Sequence, residues 1–288
     1  MTEPAVDSAA EPIRSDDAGT RAHRSMVSLA TERLGRQWIH LMALLVPAAL
    51  IAVWELYTRL AHVDPTVLPS PSRIVTQLYD FRSLAWQHTE QTLKETAVGF
   101  AVSIAVAVFF AVLMDQVAWL RRSLYPMMVA SQTIPIIAIA PLMIIWFGFG
   151  LLPKVLVIIL VTFFPIVVAL LDGFASTEQE AMNLLHAMGA SERQIFFYVR
   201  FPNALPYFFT GARISATYGV VAAIFAEYVG AYTGLGIWMQ LSKNAFRTDL
   251  VFGAILITAI LSIVLFLLVY VAARVTIPWY YASRRRAT

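Results

Sequence analysis

The chain has 288 residues, of which 59% are hydrophobic and 14% charged, with a mean hydropathy of +0.69. That is too apolar for a soluble domain and defines an integral membrane chain. The net charge of +3 is no nucleic-acid signal, because the arginines cluster at span ends; without Cys, disulfides and thiol chemistry are excluded, and His23, His40, His62, His88 and His186 form no ligand spacing.

Residues 1–36 are rich in Ala, Ser, Asp, Glu and Arg and carry no apolar period until about Met26. They predict a disordered cytoplasmic tail. The alternative is a signal peptide; the long acidic lead and the length of the apolar segment that follows argue against it. The first transmembrane helix falls within 37–62. Trp38, Trp54 and Tyr57 stand near its ends as interfacial aromatics do, and Pro47 predicts a kink.

A polar connector follows over 62–95, with L-P-S-P-S at 68–72 and a short helix predicted at 72–81. The second span is read at 96–114. The third, at 124–147, contains Pro135 and Pro141. Each proline removes a backbone donor, so this span is expected to be bent or broken, with carbonyls exposed near mid-depth. The fourth span is read at 153–171, the fifth at 205–229 and the sixth at 250–275. The apolar runs exceed the roughly 18 residues that mark spanning helices, whereas a barrel would show short alternating segments.

Residues 177–202 are the long polar-containing stretch between two spans. Thr177 with Glu180 fits a capping box. Ala181, Leu184, Leu185 and Met188 form one apolar helical stripe, and Gly189 suits the left-handed position that ends a helix. Ser191 with Gln194 repeats the capping pattern, and Pro202 and Pro206 are expected to punctuate the end of a second short helix. Neither helix is long enough to span a bilayer, so the segment predicts a shaped knob at a membrane surface. On shape alone, an amphipathic helix packed on its own protein remains the other reading.

Six spans put both termini on one side. One set of segments carries Arg14, Arg21, Arg24, Arg33, Arg36, Arg121, Arg122, Arg193, Arg200, Arg274 and Arg284–Arg286. The other carries Arg73, Arg82, Lys94, Lys154, Lys243 and Arg247. The first set is roughly twice as rich, so the positive-inside rule puts the termini and the knob in the cytoplasm.

In the fifth span Gly211, Ser215, Gly219 and Ala223 recur at four-residue steps. Such a stripe predicts close helix packing, and it would also leave room for a solute. Glu227 sits toward the end of that span. It is a functional candidate at membrane depth, or a solvated interfacial carboxylate beside Gly230. Arg213 is expected to snorkel or pair, and Asp172 to cap or salt-bridge. No catalytic triad, paired carboxylates, phosphate loop or polar cluster at depth is legible.

The pattern G-A-S-x-x-x-x-F-x-x-V-x-F-P over 189–202 resembles the cytoplasmic coupling loop of permease subunits of ATP-binding-cassette importers. In that loop Gly189, Ala190, Ser191 and Pro202 match the motif. The name-giving E-A-A corresponds to Asn183-Leu184-Leu185, while Glu180-Ala181 lies three residues early. With L-P-S-P-S, Thr92, Thr96, Gly99, Phe100 and E-Y-V-G-A-x-x-G-L-G (227–236), the chain over 65–280 resembles nitrate/sulfonate/taurine-type importer permeases. The stretch 242–252 and Pro278-Trp279 resemble the subgroup proposed to carry the hydroxymethylpyrimidine precursor of thiamine.

The resemblance implies an all-α fold with six transmembrane helices and an importer type I permease-like core over 63–280. A basic cytoplasmic tail follows at 281–288. It implies two copies of this chain, two ATPase subunits, an extracytoplasmic substrate-binding protein and a bacterial inner-membrane location. The chain itself would bind no cofactor and catalyse nothing, ATP being used by the partner. Coupling would rest on Glu180, Asn183, Leu184, Leu185, Gly189, Ala190, Ser191 and Pro202. The translocation path would involve Pro135, Pro141, Ser215, Gly219 and Glu227. The rival classes are a secondary transporter or channel without an ATPase, and a membrane-embedded enzyme. The first would show internal repeats and intramembrane ionisable groups, the second a polar cluster at depth.

Overall fold

The computed structural model describes Met42 and residues 44–287. The tail expected at 1–36 and the start of the first span lie outside the described residues. The chain divides into two compact units, 1–62 and 63–288. In the first unit, residues 44–60 form helix α1, which runs through Pro47. Near its end the Thr58 hydroxyl bonds back to the Trp54 and Glu55 carbonyls at 3.0 Å.

The second unit begins with α2 (Pro71–Asp80), whose first turn is pre-shaped by Pro71 and capped by the Ser70 hydroxyl on the Arg73 amide. Helix α3 (Arg82–Gln116) is 35 residues long. It starts well before the span read at 96–114, because the intervening polar residues are not loop residues. Thr89 bonds back to the Ala85 carbonyl, and both Thr89 and Thr92 are buried against other helices.

Helices α4 (Ala118–Ser131) and α5 (Ile136–Phe147) occupy the stretch read as the third span and are bent by 104° where they meet. Pro135 stands at the break, where its fixed φ opens α5. Pro141 remains inside α5 and does not break it. Helix α6 (Leu151–Ala175) follows. Then come the short helices α7 (Gln179–Ala187) and α8 (Glu192–Ile195).

Beyond α8 the expected stop at Pro202 does not occur. One π-helical turn, Phe196–Arg200, leads directly into α9 (Phe201–Gly230), giving a continuous rod over Glu192–Gly230. The wide turn closes with the Phe201 amide on the Phe196 carbonyl, which leaves Pro202 in the first turn of α9. A missing donor costs little there. The chain ends with α10 (Leu235–Asn244), α11 (Thr248–Thr276) and α12 (Pro278–Ala287). Helix α10 lies between the spans read at 205–229 and 250–275. Among the described residues every regular element is helical, and four helices are long and apolar enough to cross a membrane, or up to five counting α4–α5 as one span.

Helix α6 is the hub, packed between α3 and α9. Three glycines set the approach. A Cβ at Gly211 would lie 2.6 Å from the Pro165 carbonyl, one at Gly173 2.8 Å from Ala204, and one at Gly99 2.8 Å from Ile158. The small-residue stripe of α9 therefore faces α6. Ser215 donates to the Thr162 carbonyl at 2.7 Å, and Gly219 lies against Thr162. Around this seam Met114, Ile166, Leu170, Phe174, Ala204 and Ala212 form the largest buried cluster. Filling the seam should overpack it. Gly211→Leu is expected to cost about 1–3 kcal/mol, read as a lowered thermal midpoint of the purified protein in detergent.

Candidate functional site

The knob is built by local bonds. The C-terminus of α7 closes as a Schellman motif: the Ala190 amide reaches the Leu185 carbonyl at 3.0 Å, and the Gly189 amide reaches His186 at 2.9 Å. Gly189 holds φ +83°, which only glycine adopts without strain, and a side chain there would point into open space. Ser191 then starts α8 with a complete capping box, its amide donating to Gln194 Oε1 at 2.8 Å. His186 Nε2 and Glu192 Oε1 meet at 2.7 Å and tie the two short helices together.

The first capping box does not form. Glu178 occupies the N-cap of α7 without a side-chain bond. Thr177 instead accepts from Asn203 Nδ2, which also reaches Ser176 Oγ, so the base of the knob is stitched to α9. Glu180 and Asn183 are exposed, Asn183 accepting from Gln179. Leu184, Met188, Phe197 and Tyr198 are 62%, 74%, 55% and 79% exposed, four large side chains displayed along the knob. Leu185 and Ala190 are half-buried, and Pro202 sits below the knob in α9. At the base, Arg200 Nη2 donates to Asp115 Oδ1 at 2.7 Å, with its guanidinium 6.0 Å from the Phe174 ring.

A second constellation lies at the end of the bundle away from the knob. Three successive amides at the start of α10 meet three side chains. Gly234 N donates to His88 Nδ1 at 3.0 Å, Leu235 N to Thr92 Oγ1 at 2.8 Å, and Gly236 N to Glu227 Oε2 at 2.7 Å. Thr92 Oγ1 in turn donates to Glu227 Oε1 at 2.6 Å. The reading of Glu227 as a solvated carboxylate is thus corrected: the residue is fully buried, because the loop after Gly230 folds back over it. A carboxylate at a helix start answers both the free amides and the helix dipole. Gly234, at φ +134°, makes room, since a Cβ there would lie 2.3 Å from the Glu227 carboxyl carbon.

Beside it, Glu95 on α3 is fully buried. It takes Gln91 Nε2 at 2.6 Å and the ammonium of Lys154 on α6. The sequence alone shows no such grouping of buried polar side chains. Its members come from four helices, and in the sequence Lys154 counts only among the charges of the side opposite the knob, and Glu95 only as the end of the connector at 62–95. The E-Y-V-G-A-x-x-G-L-G pattern was the one available signal, and it does not reveal which groups Glu227 meets.

The other path candidates are not brought together. Ser215 and Gly219 are packed on α6, Pro135 is exposed at the α4–α5 break, and Pro141 is half-buried within α5.

Long apolar helices joined by buried polar contacts, with a rigid two-helix knob between two spans, define a membrane transport subunit. Residues 101–280 match the family described as binding-protein-dependent transport system inner membrane component, and the chain belongs to that family. It is an ABC transporter permease of the bacterial inner membrane. It is 38% identical to the formylaminopyrimidine transport permease protein ThiX of Halalkalibacterium halodurans, over 80% of this chain and 92% of that one. It is 32% identical to the riboflavin transport system permease protein RibX of Chloroflexus aurantiacus, over 80% and 87%. The fold is similar to a chain of the inward-facing MetNI methionine ABC transporter, with TM-score 0.54 and 20% identity over 69% of this chain and 97% of that one.

Removing one partner of a buried ion pair strands the other. Lys154→Met should destabilise the protein by about 3–5 kcal/mol, and the double variant Lys154→Met/Glu95→Leu should recover most of that loss in a thermal melt. Ser191→Ala should cost about 1 kcal/mol, visible as faster hydrogen exchange at residues 192–195.

Proposed function

We propose that this chain is the transmembrane subunit of an ATP-driven importer, working as a homodimer with two ATPase subunits and one extracytoplasmic substrate-binding protein. It spans the membrane six times with both termini and the knob in the cytoplasm, α1 supplying the first span and the core running from 63 to 280. ATP is bound and hydrolysed by the partner; this chain carries force and holds no catalytic residue. The observation that carries the reading is the knob itself: two short helices locked by a Schellman turn and a capping box, displaying Leu184, Met188, Phe197 and Tyr198. Exposed apolar groups on a rigid projection suit burial in a partner's groove. Closure of two ATPases around ATP would draw the two knobs together and turn the spans from inward- to outward-facing; hydrolysis would reset them. Glu180, three residues before Asn183, is the nearest acidic group to the place of the displaced motif acid.

The solute is proposed to be a pyrimidine precursor of thiamine, on the strength of the similarity to the formylaminopyrimidine permease. An aliphatic sulfonate, taurine or nitrate is the second choice, since a taurine permease of Escherichia coli is 29% identical over 81% of this chain.

Native mass spectrometry of the complex, purified through a tag on this chain, tests the assembly. The expected result is an ATPase in equal number to this chain, with the pyrimidine on the co-purified binding protein. A bare homo-oligomer would favour a channel or secondary transporter. Gly189→Glu should abolish ATPase retention, or cut uptake by at least about tenfold, the factor carried by 1.4 kcal/mol. Gly189→Ala, which strains the turn without adding charge, should do less.

A further inference from the structure

Two polar contacts join α3 to the rod over Glu192–Gly230, one at the knob end and one toward the far end. At the knob end, Asp115 holds Arg200 at 2.7 Å. At the other end, Thr92 holds Glu227 at 2.6 Å. Thr92 and Asp115 are about 35 Å apart along α3 at 1.5 Å per residue. Arg200 and Glu227 are about 40 Å apart along the rod by the same rise. Both separations match or exceed the roughly 30 Å hydrocarbon thickness, so each contact falls near one face of the bilayer. Between them α6 is tied to both helices. Thr162 and Ser103 share a hydroxyl bond at 2.7 Å, and Ser215 donates to the Thr162 carbonyl at 2.7 Å. Lys154 adds an ion pair to Glu95.

Asp115 is the informative member. It lies in the last turn of α3, where the helix dipole favours a cation and disfavours a carboxylate. Its side chain is 6% exposed and Arg200's 27%. The residue does not serve its own helix; its partner is Arg200, which closes the π turn. That turn is the junction between the knob helix α8 and the span α9. By contrast, α11 meets α9 through an apolar cluster of Phe209, Ala273 and Ile277, a surface suited to sliding.

We infer that Asp115 and Arg200 are positioning residues that clamp the base of the knob to α3, so that α3, α6 and α9 move as one lever carrying the knob's displacement to the Glu227 latch. The inference rests on the docking role proposed above for residues 177–202. The Asp115–Arg200 pair acts after docking: it does not hold the ATPase, but it makes a docked ATPase useful.

The test uses the whole transporter, permease with its ATPase and binding protein, in proteoliposomes. Three quantities are read: ATPase retained on a tagged permease, stimulation of ATP hydrolysis by loaded binding protein, and solute moved per ATP hydrolysed. Asp115→Arg and Arg200→Asp singly should retain the ATPase and lose stimulation and solute per ATP by at least about tenfold, the factor that 1.4 kcal/mol of coupling carries. The double swap D115R/R200D should restore both, because it rebuilds the pair and places a cation at the end of α3. Single variants that stay fully coupled would overturn the inference, as would singles that fail to retain the ATPase, or a double swap that assembles and remains uncoupled. A wild-type permease that retains no ATPase would instead sink the docking reading itself.

Discussion

The close approach of α6 and α9 is the constraint on which the rest of the structure depends. Gly173 and Gly211 bring the two backbones together at two levels, and Ser215 bonds across the gap between them. In lipid no hydrophobic force drives helix against helix, so association falls to van der Waals fit and interhelical hydrogen bonds. A seam of small residues supplies the first, and hydroxyl-to-carbonyl contacts supply the second. Helix α3 then closes on the other side of α6 through Gly99 and the Ser103–Thr162 pair. Once these three helices are joined, the positions of the knob and of the buried carboxylates follow from them.

The two ends of this three-helix block are chemically different. The knob end displays apolar side chains over a scaffold of local bonds, as a docking surface does. The far end hides its polar groups. Glu227, Glu95, Lys154, Thr92 and His88 are buried, and their bonds run between helices and to the amides of α10. A carboxylate so deeply enclosed serves as a fastening, and the geometry gives Glu227 that role. The glycines of G-L-G are there for the same reason: Gly234 gives the carboxyl room, and Gly236 fits under the Ile224 carbonyl.

Much of this was legible in the sequence wherever the controlling interactions are local. Apolar runs marked α3, α6, α9 and α11 as long apolar helices, Gly189 ended α7, Ser191 and Gln194 capped α8, and Pro135 stands at the α4–α5 break. The misreadings share one cause, a partner far along the chain. Thr177 looked like a cap, but Asn203, 26 residues on, claims its hydroxyl. Glu95 and Lys154 are 59 residues apart, and nothing in the sequence links the end of a connector to the start of the fourth span. The first half of α3 looked like a connector because its threonines and His88 are polar, although they face protein. Pro202 read as a stop, since nothing local announces a π turn. The same tertiary dependence hid α10, whose start is held by residues of α3 and α9.

The distribution of charge over α3, α6 and α9 also bears on how the protein is made. Glu95, Lys154 and Glu227 enter the bilayer on separate segments, in that order, and an unpaired charge within a spanning helix costs about 2.5–3.5 kcal/mol on insertion scales. Glu95 therefore waits for α6 to bring its lysine, and Glu227 waits for the chain to emerge as far as Gly236. The fastening at the far end is the last of these contacts that translation permits. A chain that stops between Glu227 and Gly236 would carry a carboxylate with no helix to cap.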